Sequence, residues 1–597
     1  MQRKGRRRIK TAGELAVIIL AAVLAGCGGS SGEEPATAAP QTGTYVEKEP
    51  PQENRVSDNM AVYADDDENS VVTMYLTVRQ GTEGDNTNHT WTEINTYSAY
   101  YYEDNEIPRY NCEALLQIGD ENGPAEGEFG YGETVANAAV QIRGQTSSKR
   151  EQKNYKIRIK EEKGSWRGQR TIALNKHVGD PVRFRNKLAY DLMKNVPEMI
   201  SARTQFVHLY VKDETEGGNG VFTDYGLYTQ VEQMNKTYLK NHGLDNRGHL
   251  YKINFFEWYR YDALKLKSDP DYDEAAFEKY IEIKGNDDHT KLLDLLDKIS
   301  DYSIPIEDIV EQNFDSQNIC YWMAFHILTG NYDVGSRNYY IYSPLNSEKW
   351  YFISWDNDAA FSRTYHEWKD YSEGKSWEQG MTQFLHSALF ERMFKVDRYR
   401  AQLSAAVEDL RANYLNREIM SQKISEYSEV VKPYVYRLPD LTYSLVSQEN
   451  YDMLLNGMAD ETETNYQYFL ESLERPWPFF VGTPYVEDGR LEVLWDTSFD
   501  MDNESITYSF ALATDYSFQN ILVQEEGLRL PEMTFDLLPP GQYFIRVRAK
   551  NASGYEQDCY DYYSMDSGGK AYGAKCFYVN EDGTITEHEN TEGNETE

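Results

Sequence analysis

The 597-residue chain carries 60 Lys and Arg against 98 Asp and Glu, a formal net charge of −38, which excludes nucleic-acid binding through a generally basic surface and leaves only a local basic cleft for that role. At this length one core is too small, and about three or four domain-sized units are expected. A content of 40% hydrophobic and 14% aromatic residues, with 48 Tyr, excludes a wholly disordered chain and suits half-exposed sheets and interfaces.

Arg3, Lys4, Arg6, Arg7, Arg8 and Lys10 precede an apolar run from Leu15 to Ala25, the layout of a signal peptide and too short to prefer a spanning helix. The run ends in Leu24-Ala25-Gly26-Cys27, which resembles the lipobox of bacterial lipoproteins. That resemblance implies cleavage before Cys27, acylation of its new terminus and an extracytoplasmic chain anchored to the bacterial membrane by lipid. Residues 28–70, rich in Gly, Ser, Pro, Glu and Asp, read as a disordered tether. The other cysteines, Cys112, Cys320, Cys559 and Cys576, are too sparse for a disulfide scaffold or a zinc site. Cys559 and Cys576 are either a local pair or two free thiols.

The fold is expected to begin at the strand pattern Val71 to Val78 and to continue through Glu113 to Ile118 and Ala139 to Ile142. After Arg143-Gly144-Gln145-Thr146-Ser147-Ser148, a period of two places Lys153, Tyr155, Ile157 and Ile159 on one strand face and Lys156, Arg158 and Lys160 on the other. Lys153, the odd polar residue on an apolar face, is either an end-of-strand lysine reaching water or a cation turned into a cleft, where the Gly144–Ser148 turn would offer N–H groups and hydroxyls to the same anion. A helix pattern over Val182 to Val196 and strands over Gln205 to Val211 and Gly226 to Glu232 follow. Glu232 is either a partner for Lys153 or a solvated residue before a helix.

Residues 262–330 read as mainly helical. Within them Asp269-Pro-Asp271-Tyr-Asp273 imitates a calcium loop but lacks the sixth-position glycine and has Tyr280 where the bidentate glutamate belongs. From Asn331 to Phe361 two aromatic runs, Tyr339 to Tyr342 and Trp350 to Ile353, flank a Ser-Pro-Leu-Asn-Ser turn, with Asp333 and Asn338 before the hairpin and Asp356 and Asp358 after it. Residues 376–480 read as helical. From Trp477 the pattern changes to short alternating strands, Leu491 to Trp495, Ile506 to Leu512 and Gly541 to Asn551, spaced for a β-sandwich that resembles a fibronectin type III module. Asn580 to Glu597 forms an acidic tail.

Phosphoryl transfer from a nucleotide needs a carboxylate to orient the acceptor hydroxyl, oxygen ligands for divalent metal and a cation on the phosphates. Asp333-x-x-x-x-Asn338, a hairpin and then Asp356 follow the order of the protein-kinase catalytic and metal residues. Together with Arg143 to Ser148, Lys153 to Ile157, Tyr228-x-x-Val231-Glu232, Gly248 to Lys252, Gly330 to Asp333 and Trp355 to Phe361, these motifs make the span resemble the spore coat protein H (CotH) kinase family. The resemblance implies an α+β, atypical protein-kinase-like core over residues 71–480 with a helical C-terminal subdomain; the strand spacing and the acidic composition beyond it predict a small all-β sandwich over 481–580 and a disordered tail over 581–597. The resemblance further implies transfer of the ATP γ-phosphate to protein serine hydroxyls with Mg²⁺ or Mn²⁺. Carried over to this chain, Asp333 is the hydroxyl-orienting base; Asp356, Asn338 and Asp358 hold metal; Lys153, Arg143, Ser147 and Glu232 serve the nucleotide. Gln145-Thr146 and the Gly-rich insertion before Tyr225 depart from the family pattern. The competing class is a non-catalytic cell-surface or cell-wall protein on a kinase-like scaffold, whose C-terminal module meets a surface partner. A carbohydrate-active enzyme built on Asp356 and Asp358 lacks any established carboxylate spacing.

Overall fold

Alternating apolar residues drive the first sheet. In the computed structural model, which describes residues 56–368, 376–565 and 569–590, β1 (Val71–Arg79), β2 (Cys112–Asp120), β3 (Gly123–Pro124), β4 (Ala138–Arg143), β5 (Asn154–Ile159), β6 (Thr171–Asn175), β7 (Thr204–Asp213) and β8 (Phe222–Glu232) pair in the order β1-β7-β8-β6-β5-β4-β2-β3. An additional β1–β2 pairing closes the ring into a barrel. β1 runs parallel to β7, while the β4–β5 and β5–β6 pairs are antiparallel. Leu76, Leu116, Val140, Ile157, Leu174 and Leu209 fill the interior, and Trp91 of α1 (Trp91–Thr96) and Tyr102 of α2 (Ala99–Asp104) join the same core. The alternate residues, among them Arg143 and Lys156, therefore stand on the outside.

α3 (Arg185–Met193) follows β6 and packs with Phe206, Leu227 and Val231 of the barrel's outer surface into a second, larger core. That core continues into β9 (His249–Ile253), β10 (Ile281–Ile283), β11 (Tyr339–Ser343) and β12 (Tyr351–Ser354), ordered β10-β9-β11-β12. Every residue of the strands β11 and β12 is buried. Tyr339 and Phe352 stack at 5.3 Å, Trp258 Nε1 donates to the Tyr339 hydroxyl at 3.0 Å, and Trp322 of the helix Ser316–Thr329 packs 5.0 Å from Phe352. Each such aromatic contributes roughly 1.5–3 kcal/mol by burial, so the hairpin is a rigid platform.

The helices Thr290–Ser300, Ile306–Asn313 and Ser316–Thr329 occupy the stretch expected to be helical, but β10 lies there too. Three residues are too few for alternation to register. The helices Asp397–Asn413, Arg417–Val435 and Gln448–Glu474 follow. Farther on, a sheet of Tyr485–Glu487, Arg490–Leu494 and Glu532–Asp536 shares one core with a larger sheet, Leu491 and Phe535 meeting Phe510, Ile545 and Val547.

Three expectations need correction or limits. Cys559 and Cys576 are both free: the first lies in the core shared by those sheets and the second in a separate cluster with Phe544 and Tyr563. Ordered chain also extends beyond the expected bounds, because Tyr63 is buried and donates to Asp58 at 2.7 Å, Glu68 pairs with Lys194 and Lys423, and Ile585–Glu587 forms a strand on Lys575–Val579. Ion pairs hold residues 56–70 in place of an apolar run, which is what a composition reading misses. The signal peptide, the lipobox with Cys27, tether residues 28–55 and tail residues 591–597 lie outside the described residues.

Candidate active site

The helix Ser316–Thr329 begins on Asp315, whose carboxylate accepts from the amides of Gln317 and Asn318, and ends at Gly330 in the left-handed region (φ 63°). This cap turns the chain into the loop that carries Asp333. Asn331, fully buried, holds the loop from beneath: its side-chain oxygen accepts the Asp333 amide at 3.3 Å, and its amide nitrogen lies 3.2 Å from His326 Nδ1. His326 Nε2 meets Ser354 Oγ at 2.9 Å, and burial pushes its imidazole down to about 3, so a neutral ring bridges the loop to β12.

Asn338 and Asp356 bracket the hairpin, and both are non-glycine residues with left-handed backbones (φ 62° and 55°). Such conformations cost about 1–3 kcal/mol each and persist only where the surroundings impose them. Here the Trp355 amide donates to the Asn338 carbonyl at 3.1 Å, tying the two turns together. Asn338 Nδ2 donates to the Asp333 carbonyl at 3.0 Å and to Asp333 Oδ2 at 2.7 Å, while Arg337 Nε donates to Asp333 Oδ1 at 2.6 Å. With its amide hydrogens committed to Asp333, Asn338 presents Oδ1 as the acceptor end of its side chain. On the other turn, the Asp356 amide donates to the Tyr190 hydroxyl (3.2 Å) and the Asn357 amide to Asn186 Oδ1 (3.1 Å), so α3 backs this segment.

Asp358 still meets solvent, yet its carboxyl is pushed well above the ordinary carboxylate range, first by burial among protein atoms and then by the negative charges of Asp356, Asp333 and Asp180. Four carboxylates therefore share one neighbourhood. Among the described residues, no three His, Cys, Asp or Glu side chains converge into an all-protein metal cage. Two carboxylates and an amide oxygen nevertheless suit Mg²⁺, which is usually held by one or two carboxylates plus phosphate oxygens. The oxygen donors and the crowded negative charge fit such an ion.

Cations face this acidic group from the outer barrel wall. Burial lowers the Arg143 guanidinium, against the opposing pull first of Asp356 and then of Tyr340 and Tyr190. Lys156 is lowered to about 8, first by burial and then by the positive charges of Arg158, Arg109, Arg143 and Lys284. A lysine whose leading electrostatic neighbours are all cations marks a place for a polyanion such as a nucleotide triphosphate. Across the cleft Lys252 and Lys284 pair with Glu282 at 2.7 and 2.6 Å; although burial raises Glu282, those two lysines hold it at about 2.

Two expected nucleotide residues stand elsewhere. Lys153 shares the parity of Tyr155 and Ile157, which enter the barrel core, and its ammonium donates to the Ser148 carbonyl at 2.6 Å. The face chosen for it points inward, and Lys156 occupies the cleft face. Glu232 does not pair with Lys153: Arg203 donates to it at 2.6 and 3.0 Å, and His242 Nε2 lies 3.0 Å away. Ser147 Oγ accepts from Asn154 Nδ2 at 3.0 Å, within a turn held to α2 by the Ala99 amide's bond to Ser148 Oγ at 2.8 Å. Lys156, Lys284, Asp180, Tyr190 and Asn331 were not singled out. Lys156 had a visible signal in the β5 alternation, and Asn331 in the Gly330–Asp333 motif.

The CotH kinase protein family model matches residues 140–469, more than half of the chain and a span that contains both walls of this cleft. Inner spore coat protein H of Bacillus subtilis (strain 168) is 24% identical over 333 residues, covering 54% of this chain and 83% of that relative.

Proposed function

Because the chain belongs to the CotH kinase family, we propose that it is a lipid-anchored, extracytoplasmic atypical kinase that transfers the ATP γ-phosphate to serine hydroxyls of a protein acceptor. The single observation that carries this reading is that Asp356 is the leading charge acting on Arg143, which puts the cationic barrel wall within electrostatic reach of the carboxylates of the hairpin. Asp333 receives the acceptor hydroxyl and takes its proton on a carboxylate oxygen as the oxygen–phosphorus bond forms. Arg337 and Asn338 fix the orientation of that carboxylate. Arg143 and Lys156 meet the phosphate oxygens, and the leaving nucleoside diphosphate remains on this cationic wall. Asp356, Asn338 and Asp358 would hold Mg²⁺ or Mn²⁺, which when bound offsets the negative charge of the phosphates. Burial and the charges of Asp356, Asp333 and Asp180 disfavour the ionised form of Asp358, and cation binding favours it. On this reading acylation of Cys27 would hold the enzyme at the membrane surface, and the C-terminal β region, read as a fibronectin type III-like module, would meet a surface partner.

The test is incubation of the purified chain with γ-labelled ATP, Mg²⁺ or Mn²⁺ and a serine-containing acceptor protein. Label appears on serine with the native chain and not with the Asp333→Asn variant; nucleotide binding without transfer under either metal defeats the catalytic reading. Within the same assay, Lys156→Ala is expected to raise the KM for ATP by about 10–100-fold, the loss of a charge-assisted phosphate contact. Lys153→Ala is expected to leave that KM nearly unchanged and to lower stability by about 1–3 kcal/mol, because it strands the Ser148 carbonyl. The reverse ranking of the two lysines would reject the assignment of the cleft face.

A further inference from the structure

Between Asp333 and Asn338 the loop contains Gly335, and the loop is gripped from two sides. On one side the Phe256 amide donates to the Ser336 carbonyl at 2.9 Å. On the other, a Cβ on Gly335 would lie 2.6 Å from His386 Cε1 and 3.0 Å from the Gln383 carbonyl, so the loop backbone is seated against the segment 380–386 with no room for a side chain. Every residue of the helical turn Gly380–Phe384 is buried, which makes this segment a wall.

That wall is held by the C-terminal β region. Tyr560 follows the strand Glu556–Asp558, is 7% exposed, and donates its hydroxyl to the Thr382 carbonyl at 3.0 Å. Its ring meets the His386 ring edge-on, with centroids 6.0 Å apart and planes at 80°. Trp377 and Phe480 close around the same ring at 5.6 and 4.9 Å, and the Tyr560 amide donates to the Phe479 carbonyl at 2.9 Å. Burial, with Glu391 and Tyr259 as further contributors, pushes the Tyr560 phenol well above its ordinary value, so it stays a hydrogen-bond donor. A contiguous path thus runs from the β region through Tyr560 and His386 to Gly335, two residues from Asp333.

We propose that the C-terminal β region is part of the catalytic apparatus, with Tyr560 a positioning residue that acts through His386 to hold the Asp333 loop. This rests on the kinase reading for its catalytic consequence, but the mechanical link does not. The barrel wall with Arg143 and Lys156 belongs to a different part of the chain, so loosening the loop should lower turnover and spare nucleotide binding. A small misplacement of a catalytic group is enough to do this.

The experiment uses the full chain and compares Tyr560→Ala, Tyr560→Phe and His386→Ala. Hydrogen exchange of the amides at 333–338 is expected to quicken by about tenfold in the two alanine variants. Their kcat should fall by about tenfold with the KM for ATP unchanged. Tyr560→Phe keeps the ring contacts and should restore most of both. If Tyr560→Ala unfolds the β region, His386→Ala decides, since it removes the middle link and leaves that region's own core intact. Native exchange at 333–338 in His386→Ala, or a rise in ATP KM matching the loss of kcat, overturns the proposal. If the native chain transfers no phosphate, the exchange result alone decides the mechanical link and the kinase reading fails separately; Asp333→Asn should abolish transfer without loosening the β region.

Discussion

Replacing Asp333 with Asn is expected to reduce kcat for phosphoryl transfer by about 10²–10⁴-fold, the range that a positioned general base supplies. The substitution preserves shape and one acceptor oxygen, so Arg337 keeps its partner. It sets an amide N–H₂ towards Asn338 Nδ2, which now donates to Asp333 Oδ2 at 2.7 Å, and this donor–donor clash should cost about 1–2 kcal/mol of stability. The KM for ATP should barely change, because the phosphates are assigned to Arg143 and Lys156 on the other wall. Steady-state kinetics and thermal unfolding on the same preparation separate the effects. A variant retaining kcat within about threefold of the native value would show that Asp333 orients no reacting hydroxyl.

The hairpin was legible because its signals were local: aromatic and β-branched runs on either side of a turn, with acids at the outer ends. β11 and β12 match those runs to within one residue, and the structure brings Asp333, Asn338 and Asp356 to one end of the hairpin. The cationic wall was half legible. Alternation separated Lys153 from Lys156, but deciding which face meets the cleft required knowing that β1 pairs with both β7 and β2, closing the sheet so that its apolar face turns inward. Nothing within β5 reports a pairing made by strands scores of residues away. Glu232 was ambiguous for a related reason, since its partners Arg203 and His242, and the Asp58 on the far side of His242, come from separate elements. Residues 56–70 were hidden by composition, because a segment held by Asp58, Tyr63 and Glu68 through ion pairs and hydrogen bonds looks like a polar tether.

That buried network is where the largest stability effect is expected. His242 is fully buried between Asp58, 2.6 Å from its Nδ1, and Glu232, 3.0 Å from its Nε2, and Glu232 is bound on its other side by Arg203. Burial alone would lower His242, but Asp58 and Glu232 overcome it and raise the imidazolium from 6.5 to about 9. Burial alone would raise Glu232, but His242 and Arg203 outweigh it and lower the carboxylate from 4.5 to about 2. The signs give two edges. The His242 contribution is complete below its unfolded value near 6.5 and is lost as pH rises through about 9, whereas the Glu232 contribution is present above about 4.5 and is lost as pH falls through about 2. Stability from this network should therefore plateau between about pH 4.5 and 6.5 and decline on both sides. Glu232→Gln leaves two buried cations short of a counter-charge and should cost about 3–5 kcal/mol within the plateau. It should also shift the alkaline decline to lower pH, because Asp58 alone then supports the charged imidazole. Urea unfolding of the native and Glu232→Gln chains between pH 4 and pH 9 checks both effects. A variant destabilised equally at every pH would mean that Glu232 acts through packing, and that the network fastening residues 56–70 to the barrel is not governed by charge.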